Sequence, residues 1–311
     1  MKIGVTGATG FVGNSLCDLL AGFGHSLVKV VRKGTDPGMV AVGDMGVSTQ
    51  WGNVVAGCDV VVHLAARVHV MHEIAADAKF LFDAVNNVAT HNLALAAAHA
   101  GVKRFVFISS VKVNGESTAP GHPFVETDTP APQDAYARSK YKAEEDLKRL
   151  AQRHGMEWVI IRPPLVYGPG VKANFAALAN AATKGWPLPL GSIRNQRSLV
   201  ALDNLVDFIA CCIRHPKAAN QTFLISDGCD LSTPELVRQL ALAAGVTARL
   251  PRIPVALLKM AASLLGKKGA VERLSDNLQV NISKAQTLLQ WVPPLTVAQG
   301  LEQVVQGRKT S

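Results

Sequence analysis

Apolar, β-branched runs alternate with Ala- and Leu-rich stretches through the first half of the chain. Residues 2–5 (KIGV), 26–31 (SLVKVV), 59–65 (DVVVHLA), 104–110 (RFVFISS) and 157–163 (EWVIIRP) read as strands. Their near-continuous apolar character, rather than strict alternation, marks strands buried on both faces, as in a parallel sheet. Stretches near 11–22, 79–100 and 136–153 lie between them and read as helices. This βαβ rhythm predicts an α/β fold, a doubly wound parallel sheet of the Rossmann-like kind. After about residue 167 the pattern loosens into turn-rich stretches (YGPGVKANF, GWPLPLG) and shorter helices. That change predicts a smaller C-terminal region over the carboxyl ends of the strands, where such sheets take ligands.

Composition narrows the picture. Of 311 residues, 48% are apolar and 18% charged, which suits a compact globular chain rather than a disordered one. The net charge of +9 comes from scattered Lys and Arg, and only 5% of residues are aromatic. This pattern argues against a nucleic-acid platform and fits an anionic small ligand. Cys17, Cys58 and Cys229 stand alone, and Cys211 and Cys212 are adjacent. Without CxxC or metal-ligand spacing they read as reduced thiols of a cytosolic protein, with no metal. His69 and His72 are three apart in a loop, where substrate contact or solvent suits them better than zinc. MKIGVTGATG lacks the basic and long apolar regions of a secretion signal. The most apolar helical run, VALLKMAASLLG (255–266), is too short to span a bilayer and reads as a packed helix beside a groove.

Two patterns carry chemistry. VTGATGFVG sets Gly7, Gly10 and Gly13 between the first strand and the first helix. Glycines there allow a tight turn and close approach of backbone to a pyrophosphate on the helix N-terminus. The second strand ends VVRKG, with Arg32 and Lys33 and no carboxylate, which favours the 2′-phosphate of NADP(H) over the free ribose of NAD(H). Asp44 follows shortly and serves either the adenine or a turn cap. The second pattern is Tyr136 four residues before Lys140, on one face of a helix near its start.

With HLAA (63–66), VNNVAT (85–90), FISSVKVNG (107–115), YARSK (136–140) and RPPLVYGPG (162–170), the chain resembles the extended short-chain dehydrogenases/reductases, in their nucleotide-sugar epimerase/dehydratase group. The resemblance covers almost the whole chain. It implies that Tyr136 is the acid–base group, that Lys140 favours its phenolate and holds the nicotinamide ribose, and that Ser110 hydrogen-bonds the same oxygen, with Ser109 a turn residue. It places Gly7, Gly10, Phe11, Val12, Gly13, Arg32, Asp44, Met45, Leu64, Ala65, Ala66 and Pro163 around the dinucleotide. Asn86 matches an asparagine near the active site, or caps a helix. Lys112, Asn174, Arg197 and Arg273 fall to the sugar nucleotide, the arginines gripping its diphosphate. Residues 1–167 then form the dinucleotide-binding domain and 168–311 the substrate-binding region, with about 198–226 returning to the first.

The chain also departs from the family pattern. Asn114 replaces the usual tyrosine after the serine, and Leu165 an asparagine that often contacts substrate phosphate. These departures, with Arg32, lean toward an NADPH-linked reductase of a UDP-4-keto-6-deoxy-N-acetylhexosamine for surface polysaccharide synthesis. The alternative is a UDP-hexose 4-epimerase holding NAD tightly. A non-catalytic dinucleotide sensor is a remote third, since it would lack the tyrosine or the lysine. The expected partners are a UDP-sugar and a second copy pairing through the helices near 79–100 and 136–153, with no nucleic acid and no membrane insertion.

Overall fold

The computed structural model describes residues 1–34, 36, 38–68, 75–264 and 268–309; His69 and His72 lie outside the described residues. The strands are β1 (Lys2–Thr6), β2 (Ser26–Val31), β3 (Met39–Ala41), β4 (Val60–His63), β5 (Arg104–Ile108), β6 (Glu157–Arg162), β7 (Leu165–Tyr167), β8 (Leu199–Ala201) and β9 (Gln221–Leu224). The helices of the first half are α1 (Phe11–Gly22), α2 (Gly52–Val55), α3 (Ala75–Asp83), α4 (Ala89–His99) and α5 (Ala135–His154). Beyond them come α6 (Ala173–Thr183), α7 (Leu202–Arg214), α8 (Thr233–Ala243), α9 (Val255–Leu264), α10 (Lys268–Ser275), α11 (Ser283–Leu289) and α12 (Val297–Lys309).

Seven strands form one sheet in the order β3-β2-β1-β4-β5-β6-β9. Every pairing is parallel, as Val5 beside Val62 and Phe105 beside Trp158 illustrate. One face packs against α1 and α7, with Leu16, Leu20, Phe208 and Trp291 in its core. The other face packs against α4 and α5, around Leu93, Ala97, Phe105 and Leu147. Burial from both sides is why these strands carry unbroken apolar runs. β4 and β5 are buried at every residue.

The long helix expected over 79–100 is three pieces. α3 and α4 are joined by a π-helical turn, Ala84–Val88, which holds the buried Asn86. Asn86 is therefore inside a helix and is not its N-cap. β7 and β8 make a separate two-stranded parallel sheet. Beside it, Tyr167, Phe175, Leu199, Leu236, Leu240 and Leu301 form a further core with α6, α8 and α12. α7 then returns to pack on α1, and β9 forms the edge of the large sheet. The apolar run at 255–266 is helical as α9, but of its ten residues only Ala262 is buried, so it is not the packed helix expected.

Candidate active site

The loop after β1 turns back on itself around one carbonyl. Gly10 N donates to Gly7 O at 2.9 Å, and a Cβ at Gly13 would fall 2.0 Å from that oxygen. Gly7 adopts φ +68°, and a Cβ there would come within 3.0 Å of Ala65 N. No side chain fits these positions. α1 starts at once, with Gly10 as N-cap and no side chain accepting its first N–H groups. That N-terminus suits an anion. It opens into a cleft of about 840 Å³, the scale of a cofactor site.

Of the residues expected around a dinucleotide, Gly7, Gly10, Phe11, Val12, Gly13, Arg32, Asp44, Met45, Leu64, Ala65 and Ala66 all line this cleft. Arg32 and Asp44 lie 3.6 Å apart at its solvent side and are mostly exposed. Asn86 is fully buried behind it. Its Oδ1 accepts from Arg67 N at 2.8 Å, and its Nδ2 donates to Arg67 O and Ser139 Oγ, both at 3.0 Å. It shapes the segment after β4 that forms part of the wall. Pro163 is buried as well, and its carbonyl accepts from Val111 N at 3.0 Å, fixing the turn that carries Ser110. A nicotinamide dinucleotide fits the glycine cradle on these observations.

Ser110, Tyr136 and Lys140 come together between β5 and the start of α5. Asp134 caps that helix, accepting from Ala137 N at 2.6 Å, and so sets where Tyr136 begins its first turn. The Tyr136 phenol is pushed up to about 12, mainly by burial; its hydrogen bond with Ser110 works against this, and the Asp134 charge adds to it. The Phe82 ring meets Tyr136 edge-on, 6.1 Å away. Lys140 is 1% exposed, donates from Nζ to Ile108 O at 2.8 Å and lies 4.5 Å from the centre of the Phe107 ring. Burial pushes its ammonium down to about 7, opposed by Glu144.

Three features under this trio were not read from the sequence. Glu144, one turn beyond Lys140, takes Arg162 through Nε at 2.9 Å and through its terminal nitrogen at 2.5 Å, and accepts from Ser109 Oγ at 2.5 Å. Ser109 is thus an anchor rather than a simple turn residue. Arg162 also donates to Asn114 Oδ1 at 2.9 Å, so the departure at 114 supplies a buried acceptor. The third feature is His63. Its Nδ1 meets Thr6 Oγ1 at 2.6 Å and its Nε2 meets Thr90 Oγ1 at 2.8 Å. Thr90 already gives its hydroxyl proton to Asn86 O, and Thr6 Oγ1 accepts from Ala65 N. The ring therefore carries its proton on Nε2 and is neutral. Burial, and secondarily the Lys140 charge, pull its pKa down to about 3.

The residues expected at a sugar nucleotide divide. Asn174, Arg197 and Arg273 line a second cavity of about 370 Å³, with Leu165, Phe175, Leu178, Leu188 and Leu274 among its apolar walls. Arg197 donates to Asp276 O at 3.0 Å; its pKa is lowered by burial first and by Arg273, with Asp276 opposing. Ala173 takes φ +57°, a conformation uncommon for alanine, at the first turn of α6 beside Asn174. Lys112 is elsewhere, bonded to Asp134 at 2.6 Å and Glu116 at 3.3 Å, so it braces the cap of α5. The helical spacing of Glu144 from Lys140 was the signal available for the buried ion pair, since a carboxylate on that face needs a cation.

The sequence pattern of the NAD dependent epimerase/dehydratase family matches residues 3–226. The chain is 50% identical to a UDP-glucose 4-epimerase of Vibrio cholerae, over 97% of this chain and 94% of that protein. It is 27% identical to the N-acetyl-alpha-D-glucosaminyl-diphospho-ditrans,octacis-undecaprenol 4-epimerase of Escherichia coli O157:H7, over 96% and 93% of the two chains. In fold it is similar to a UDP-glucuronic acid 4-epimerase of Bacillus cereus solved with NAD, at a TM-score of 0.80, 22% identity, and coverage of 100% and 99%. The family pattern runs from β1 through β9, and the glycine cradle and the serine–tyrosine–lysine cluster both fall within it. The chain belongs to the NAD dependent epimerase/dehydratase family, within the short-chain dehydrogenases/reductases.

Proposed function

We propose that this protein is a nucleotide-sugar 4-epimerase that retains NAD, with a UDP-hexose as substrate. The observation that carries this reading is the 50% identity, along almost the whole chain, to a UDP-glucose 4-epimerase. It favours the alternative drawn from the sequence over the NADPH-linked keto-reductase. NAD is favoured over NADP because the matching family is NAD dependent and the similar Bacillus cereus epimerase was solved with NAD; Asp44, 3.6 Å from Arg32, adds a carboxylate at the solvent side of the cleft.

A bound nicotinamide dinucleotide supplies a hydride acceptor and donor at sugar carbon 4. Gly7, Gly10 and Gly13 would hold its pyrophosphate at the N-terminus of α1, and Lys140 would hold its nicotinamide ribose. Tyr136, acting as the phenolate that a cationic cofactor ring and the Lys140 ammonium would favour, takes the proton of the sugar 4-hydroxyl and later returns it, and Ser110 hydrogen-bonds the same oxygen. Arg197 and Arg273 grip the diphosphate while the 4-keto sugar turns to present its other face. A homodimer through α3, α4 and α5 belongs to this reading, supported by Phe80, 70% exposed on α3. So does a place in surface polysaccharide synthesis.

The test offers UDP-glucose and UDP-N-acetylglucosamine to purified protein without added cofactor, and separately a UDP-4-keto-6-deoxy-N-acetylhexosamine with NADPH. Interconversion of the 4-epimers with no net cofactor consumption is expected. Stoichiometric NADPH oxidation on the keto sugar, with no epimer formed in the parallel reaction, would return the assignment to the reductase.

A further inference from the structure

α9 exposes an apolar stripe. Leu257, Met260, Ala261 and Leu264 follow at i, i+3, i+4 and i+7 and are all exposed, at 51%, 58% and 84% for the three large residues. Ala262, on the opposite side, is the buried contact with the rest of the protein. The segment before α9 runs beside residues 187–191, with Leu188 N donating to Arg249 O at 2.9 Å and Gly191 N to Pro251 O at 3.1 Å. Pro187 bridges Arg249 in this pairing, and its neighbour Trp186 is 58% exposed. Lys184 lies over the Trp186 ring at 5.5 Å.

The segment that carries this stripe has charge of one sign, although α10, with Glu272 and the nearby Asp276, packs against it. No Asp or Glu occurs between Glu235 and Glu272. Lys184, Arg249 and Arg252 are exposed and form no ion pair with a described residue, while Lys259 reaches Asp276 at 3.5 Å. An exposed apolar helix face that follows Arg249 and Arg252 in the chain, with an exposed tryptophan next to the segment paired to them, matches the interface of an anionic bilayer. A purely apolar protein surface would complement the stripe and leave these cations uncompensated. α9, with ten residues, is about 15 Å long, so it can lie in the headgroup region and cannot cross.

We propose that α9 and the adjoining Trp186–Arg249 segment dock this protein on an anionic phospholipid surface. The proposal is independent of which sugar reaction the protein performs.

The test is co-sedimentation of the full chain with vesicles of phosphatidylcholine alone and of phosphatidylcholine mixed with phosphatidylglycerol. Binding to the anionic vesicles should exceed binding to the neutral ones by about tenfold or more and fall as salt rises. Leu257→Glu/Met260→Glu/Leu264→Glu should reduce it by about tenfold with the circular dichroism unchanged. Arg249→Glu/Arg252→Glu, which leaves the helix intact, should do the same at low salt. Equal binding to both vesicles, or to neither, overturns the proposal. So does a triple variant that turns a dimer into a monomer without changing vesicle binding, which would give the stripe to a second copy.

Discussion

Glu144 accepts the Arg162 guanidinium on both of its carboxylate oxygens, and neither side chain is more than 2% exposed. The pair ties α5 to the end of β6, while Ser109 and Asn114 bring in the turn after β5. The turn that carries Ser110 and the helix that carries Tyr136 and Lys140 thus meet at one desolvated ion pair. Its net worth against an apolar replacement is small, but half of it is costly.

Arg162→Met should therefore destabilise the protein by about 3–5 kcal/mol, because Glu144 is left buried and unpaired. Adding Glu144→Leu should recover part of that loss. Urea denaturation of the two single variants and the double variant measures the coupling. Strictly additive losses would show that the two side chains do not act as a pair.

Tyr136→Phe should retain dinucleotide binding and, if the phenol is the acid–base group as proposed, lower turnover by about a hundredfold or more, since the ring keeps its contact with Phe82 and only the hydroxyl is removed. Single-turnover kinetics, with cofactor affinity measured by titration, separates the two effects. Wild-type turnover would remove Tyr136 from the chemistry.

Gly13→Ala should abolish dinucleotide binding, because its Cβ cannot share space with the Gly7 carbonyl and the loop must open. Gly22→Ala is the matched control, since a Cβ there meets nothing within 4 Å. Fluorescence titration with NAD compares them.

His63 adds a pH dependence. Its pKa is about 3 in the fold and near 6.5 when unfolded, so between these values the unfolded chain binds more protons. The contribution is fully present above pH 6.5 and is lost as pH falls toward 3. At pH 5 the loss is about 2 kcal/mol for this one group. His63→Gln should lose correspondingly less stability between pH 7 and pH 5, read from denaturation midpoints in both buffers. An identical pH response in the two proteins would show that His63 is not what titrates.

Local pattern made much of this fold legible. β2 coincides with the run 26–31, and α5 extends only one residue beyond each end of the stretch 136–153. Long, doubly buried strands and an amphipathic helix with an aspartate cap announce themselves. β3, β7, β8 and β9 do not, being only three or four residues long and held by neighbours distant in sequence. At the site, glycine spacing and the Tyr136–Lys140 interval carry signals within single segments. The Glu144–Arg162 pair joins residues 18 apart and His63–Thr90 residues 27 apart, so only folding shows them as partners. Lys112 and Asp134, 22 residues apart, are likewise partners that only folding shows.

The π turn at Ala84–Val88 has a consequence for what this chain can tolerate. A π turn contains one residue more than the α-helical turn it replaces, and each helical residue advances the chain by about 100°. Deleting a single residue there would let α3 run smoothly into α4 while rotating one against the other by that angle. Phe82, aimed at Tyr136 from before the turn, and Thr90, aimed at His63 from after it, could no longer both meet their partners. The extra residue works as a phase shift between two halves of a single rod, and a shorter, more regular helix would be the defective one.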